Sequence, residues 1–269
     1  WTAGVTYERD QFEPSPDEML GGPLPEDREL LYPWIGIEWV EDSFQERVNQ
    51  DQILRTEDVL VGLRAYARVG YASESAGSDR DALIASAYLQ NGADLHSGQS
   101  VFGSLSASGR IEDGSLQNGI VGAVGRFYWP TSKYSKFYAA FSGAVTENLD
   151  EEAQLLLGGD NGLRGYPLRY QAGTSRALLT LEQRYYTKWY PFRLFHVGAA
   201  AFFDMGRTWG TDVTGLESDG LLKDVGIGLR LGSSRSSFGN VIHVDLAFPL
   251  DGGDDIDSVQ LLVQTKASF

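Results

Sequence analysis

The chain has no cysteine and only two methionines among its 269 residues. Disulfide scaffolds and thiolate-held zinc or iron–sulfur centres are thereby excluded. Basic residues are scarce as well, with 22 Lys and Arg against 37 Asp and Glu, a formal net charge of −15. Affinity for a phosphate backbone comes from Lys and Arg, so nucleic acid is not an expected partner. Mean hydropathy is −0.24, and no stretch approaches the roughly 18 consecutive apolar residues of a membrane helix. Walker, Rossmann and zinc-protease patterns are missing too. What the chain does have is 32 Gly, 13 Tyr, 13 Phe and 6 Trp, within a hydrophobic fraction of 42%. That is enough apolar surface for a folded structure.

Helical spacing is nearly absent, whereas period-two alternation recurs. In 59–71 one face reads Val59, Val61, Leu63, Ala65, Ala67, Val69, Tyr71 and the other Leu60, Gly62, Arg64, Tyr66, Arg68, Gly70. Alternation of this kind predicts strands with one apolar and one polar face. Turn-bounded segments predict about twelve (alternatives 10 to 16): 1–9, 32–41, 58–73, 82–93, 99–112, 116–129, 135–148, 174–188, 194–208, 221–233, 240–249 and 257–269. No segment reads as a crossover helix, so the expected sheet is an antiparallel meander.

The polar faces decide which way the strands point. Ser104, Ser106, Ser108 and Arg110 share one face, as do Thr180, Glu182, Arg184 and Tyr186. Buried in a dry soluble core such faces are costly. Facing a wet interior, with the apolar faces and their terminal aromatics towards lipid, they cost little. The strands are also long, mostly 9–16 residues, against a usual length of about 5–6. The expected fold is therefore all-β, a transmembrane antiparallel β-barrel forming a single domain over 1–269.

An even strand number puts both termini on one side and the loops 10–29, 74–81, 112–115, 146–173, 209–220 and 250–256 on the other. Acid collects there: 10–29 carries seven acids and one Arg, 146–160 five acids, and 251–257 four Asp. Divalent-cation bridging to lipopolysaccharide, or simple solvation of a rim, would both use such a crown. Segment 41–58 falls on the opposite side, is also acidic, and is unusually long for a turn, so it reads as a short helix or a miscounted hairpin.

The longest loop contains Gly158-Gly159-Asp160-Asn161-Gly162-Leu163-Arg164-Gly165-Tyr166-Pro167. Its Leu163, Arg164, Gly165, Tyr166 and Pro167 resemble the (V/L)RGY signature of the outer-membrane protein eighty-five, or bacterial surface antigen, superfamily, which includes the BamA insertase and the TpsB transporters. Phe202-Phe203-Asp204-Met205-Gly206 resembles that family's FxDxG strand motif through Phe202, Asp204 and Gly206, and Ser234–Leu250 resembles its closing D-x-A-x-P-L stretch. The chain looks like a short form without N-terminal periplasmic domains. The resemblance implies a Gram-negative outer-membrane barrel whose loop 146–173 plugs the lumen, with Arg164 meeting Asp204 and Glu182. Strand parity independently places Asp204 and Glu182 on inner faces. The terminal aromatic Phe269 looks like a C-terminal assembly signal, which puts both termini in the periplasm.

The implied function is insertion or translocation of polypeptide; the alternative is a membrane anchor, dimer module or passive pore. Expected partners are outer-membrane lipid and lipopolysaccharide, the barrel-assembly machinery during biogenesis, a polypeptide client, and a second copy across the seam between first and last strands. No enzymatic role is expected: His96, His196 and His243 accompany no nucleophile motif, although His243 and Asp245 share an inner face. No cofactor or metal is expected either, since the DGGDDID segment lacks EF-hand spacing.

Overall fold

The computed structural model describes residues 1–14, 24–211, 218, 220–235, 240–251, 253 and 256–266. Phe269, Ser236–Gly239 of the closing stretch and parts of the acidic loops lie outside the described residues.

Twelve strands form one antiparallel sheet: β1 (Thr2–Asp10), β2 (Arg28–Val40), β5 (Arg64–Ala72), β6 (Ala82–Asp94), β7 (Ser100–Glu112), β8 (Ser115–Ser132), β9 (Ser135–Glu147), β12 (Ser175–Tyr186), β13 (Phe195–Trp209), β14 (Leu222–Ser233), β15 (Val241–Pro249) and β16 (Gln260–Lys266). They are hydrogen-bonded in that order, each to its neighbours in the chain. Two short pairs stand outside the sheet, β3 (Phe44–Val48) with β4 (Thr56–Leu60), and β10 (Leu155–Leu157) with β11 (Gln171–Gly173). Among the described residues no backbone pairing joins β1 to β16, and no helix is long and apolar enough to cross a membrane. The start of β1 and the end of β16 share one end of the sheet, the terminal end; the other is the loop end.

The sheet distributes its residues inside out. Val121, Phe141, Ile227 and Leu261 stand open on the convex face, Ile227 at 59% exposure, while Arg164, Arg184, Arg230, Glu182, Asp204 and Asp245 are buried on the concave side. Exposed aromatics sit near both strand ends: Trp39, Trp129 and Tyr185 towards the terminal end, and Tyr7, Tyr71 and Trp209 towards the loop end. Curvature brings distant strands together across the interior. Arg28 of β2 pairs with Asp150 and Glu152, beyond β9, at 3.0 and 2.8 Å.

Segment 41–58 is a hairpin, with no helix, and the single strand expected over 58–73 is two elements. Residues 58–60 belong to β4; at the neck Val61 and Gly62 donate to the Ser43 carbonyl and Glu41 to the Leu63 carbonyl, and the sheet strand resumes only at Arg64. Apolar alternation runs unbroken through this junction, which is why it conceals the break.

Candidate functional site: a guanidinium clasp

The loop between β9 and β12 turns into the interior. Its descent starts with the short ladder of β10 on β11, which Gln171 ties to the wall by accepting the Thr208 N–H at 3.0 Å and donating to the Gly220 carbonyl at 3.1 Å. Gly162, at φ +121°, makes the turn into the motif, a conformation that side-chain-bearing residues rarely hold. Leu163 is fully buried in a cluster with Leu157, Tyr166 and Leu222. Gly165 passes so close to β14 that a Cβ there would stand 2.5 Å from the Asp224 Cβ. Tyr166 locks the far side, its hydroxyl donating to the Lys223 carbonyl at 2.8 Å and accepting from the Lys223 N–H at 3.1 Å. The Pro167 carbonyl accepts the Gly159 N–H at 3.1 Å.

This frame projects Arg164 onto the inner wall. Its Nε and Nη2 engage both oxygens of Asp204 at 2.7 and 3.1 Å, while Nη1 reaches Glu182 at 3.1 Å and Asp245 at 3.4 Å. The guanidinium carbon lies over the Phe202 ring, 3.4 Å from its centre. A planar fork flanked by carboxylates and an aromatic face uses arginine's bidentate and flat-stacking geometry together, which lysine's point charge does not reproduce. The three strand-motif residues divide the work. Phe202 stacks on the guanidinium, Asp204 pairs with it, and Gly206 makes room for the loop, because a Cβ there would lie 2.9 Å from Leu157.

The cluster extends beyond the residues singled out by motif. Glu182 also accepts from Arg184 Nε at 3.0 Å and Arg230 Nη2 at 3.3 Å, and Arg230 Nη1 hydrogen-bonds Asp245. Asp224 lies opposite Asp204 in the ladder, and His243 opposite Arg230. Arg184 stacks 4.0 Å from the Tyr138 ring centre. Asp245 is the aspartate of the closing D-x-A-x-P-L stretch, so the motif was a signal for it; Arg184 showed only as inward-facing parity, and Arg230 only through its place in the strand expected over 221–233. Of the other histidines, His196 stacks on Tyr190 with ring centres 4.6 Å apart, and His96 lies in a 3-10 turn between β6 and β7. Among the described residues no group of three or more His, Asp or Glu is arranged to hold a metal ion.

At the loop end, arginines take up part of the acidic crown. Arg110 grips both Asp150 oxygens at 2.8 and 2.7 Å and Glu112 at 2.6 Å; Arg28 reaches Asp10 at 2.7 Å; Arg80 pairs with Asp79 at 3.0 Å. Burial pushes the Asp150 carboxyl up, but the hydrogen bonds and charge of Arg110, with Arg28, outweigh it and hold Asp150 below the usual carboxylate range.

No family model and no curated protein sequence matches the chain. Among solved structures it is similar to BamA from Haemophilus ducreyi lacking POTRA domains 1–3, with a TM-score of 0.46 and 12% identity over 89% of this chain. The alignment spans 64% of that protein's chain, under two thirds of its length.

Proposed function

We propose that the chain is an integral β-barrel of the bacterial outer membrane, of the insertase and transporter type, acting in insertion or translocation of polypeptide. The inside-out wall carries this reading. Apolar side chains left open on a convex face are stable only against lipid, and the charged interior is stable only against water and the folded-in loop. Aromatics near both strand ends fit the two membrane interfaces. Among the described residues the outer edges of β1 and β16 have no strand partner, and in hydrocarbon such edges call for one. A client strand at that seam supplies one. In this reading both termini face the periplasm, and the clasp keeps the loop folded in the lumen while the seam works.

A second reading, a membrane anchor without translocase activity, draws on the interior being occupied from both ends. Reconstitution separates the two. A small outer-membrane barrel protein is diluted from urea into vesicles holding this chain, and its heat-resistant folded band is followed. The insertase reading expects folding several-fold faster than in vesicles holding an unrelated barrel. Equal rates leave the anchor.

A further inference from the structure

The β3–β4 hairpin enters the interior from the terminal end. Its tip is preformed: Glu57 accepts the N–H groups of Gln50 and Asp51 at 2.8 and 2.9 Å, and the Asn49 side chain accepts the Leu54 N–H at 2.7 Å. Asn49 and Leu54 both adopt left-handed backbone, at φ +61° and +52°. Although the hairpin springs from between β2 and β5, its tip docks on the far wall. Tyr186 donates to the Asn49 carbonyl at 2.9 Å, Arg184 Nη1 to the Gln50 carbonyl at 3.1 Å, and Tyr128 to the Asp51 carboxylate at 2.9 Å.

Between these contacts Ile53, only 4% exposed, packs on Tyr186 and Val241. The wall facing it carries two glycines. A Cβ at Gly232 would stand 3.2 Å from the Ile53 Cβ, and one at Gly198 3.4 Å from its Cδ1. Ile53 therefore sits in a socket that side chains at either position would fill. Beside the tip a cavity of about 400 Å³ opens against Gln90, Phe102, Arg126 and Tyr128. A second, of about 380 Å³, follows along Val124, Arg126, Tyr138, Ser142 and Thr180.

We propose that hairpin 44–60 is a releasable stopper, held by Ile53 in its glycine socket, whose withdrawal opens the interior to the terminal end along the β7–β9 wall. The proposal rests on the reading of the sheet as a membrane-spanning wall around an aqueous interior. Release is feasible because the contacts that seat the tip include two tyrosine hydroxyls, one arginine and an apolar socket, and the Arg47–Asp94 ion pair lies along the hairpin's stem with Asp94 partly exposed. Water replaces the two hairpin carbonyls and the Asp51 carboxylate as acceptor for these donors. Arg164 has no such exit, since leaving takes the paired cation from the buried Asp204 carboxylate and strips one partner each from Glu182 and Asp245. The stopper is the mobile closure and the clasp the fixed one.

The absence of cysteine makes the test clean. An Ile53→Cys/Gly232→Cys pair places its Cβ atoms close to the roughly 3.5–4.5 Å of a disulfide. In planar bilayers with potassium chloride, the wild type is expected to show brief openings from a low baseline. Oxidation of the double variant abolishes them and reductant restores them. Ile53→Asp raises the mean current about tenfold, while Leu54→Asp, exposed beside it, leaves the current at the wild-type level. Openings that persist in the oxidised pair overturn the stopper, as does a folded, heat-modifiable Ile53→Asp protein with wild-type current. Should Ile53→Asp fail to fold, the disulfide pair decides alone. A wild type that never enters the bilayer overturns the membrane-wall reading, and the stopper with it, and is recognised by the missing heat-modifiable band.

Discussion

The two sides of the interior are built on opposite principles. The wall of β12–β15 is crowded and charged: Arg164, Arg184 and Arg230 interleave with Glu182, Asp204 and Asp245, all at most 4% exposed. The wall of β6–β8 presents Ser86, Ser104, Ser106, Ser108 and Gly122, with Ser106 and Ser108 open to the interior. Both walls are antiparallel and alternate with the same period of two, so the difference lies in what each wall was given to hold. The first is finished only when a loop docks on it; the second is finished by water. Polar residues facing inward thus do two jobs in one sheet, one structural and one permissive.

Substitutions on the crowded side are expected to cost most. Arg164→Ala leaves three buried carboxylates without their shared cation and should lose about 3–5 kcal/mol, read from the urea dependence of the heat-modifiable band. Lys133→Ala, on an exposed turn, should be silent, and equal losses for the two erase the contrast between the walls. Gly165→Val drives a side chain into Asp224 and should cost about 1–3 kcal/mol through overpacking.

Asp150→Asn at the loop end keeps one acceptor oxygen and should cost about 1–2 kcal/mol, near the low end of the roughly 1.5–3 kcal/mol for hydrogen bonds to charged groups, and its pH dependence sharpens the assignment. The Asp150 carboxyl is held below its ordinary range of about 4. Its contribution is therefore complete above that range and lost as pH falls from there through the depressed folded value. Protease resistance of segment 148–154 should hold at neutral pH and fall on acidification, and Asp150→Asn should flatten that acid limb. Last, Ser106→Ala on the open wall should stay within roughly 0.5 kcal/mol of wild type by the same unfolding measurement. A large loss there would mean that this wall, too, supports a docked element.

The twelve strands were legible because alternation is local: each residue announces its own face. The inward parity of Glu182 and Asp204 was legible for the same reason. That Arg184, Arg230 and Asp245 join them in one cluster was not, because it depends on the register between strands, such as Arg230 opposite His243 and Asp224 opposite Asp204. Period-two patterns carry no information about register. Hairpin 44–60 was legible only as one of two alternatives for 41–58, and the break between it and β5 escaped for the reverse reason. Val59, Val61 and Leu63 continue the beat of β5 without interruption, so two elements read as one. Gly62 and the cluster of acids before it were the only marks of the junction.

The clasp has a reach along the chain as well as a shape. Arg164 lies 18 residues before Glu182, 40 before Asp204 and 81 before Asp245. One side chain thus closes three nested loops of increasing length, and the longer ones carry the larger closure entropy. The long-range connectivity of β12, β13 and β15 is concentrated in a single guanidinium, so its loss slackens three strands at once.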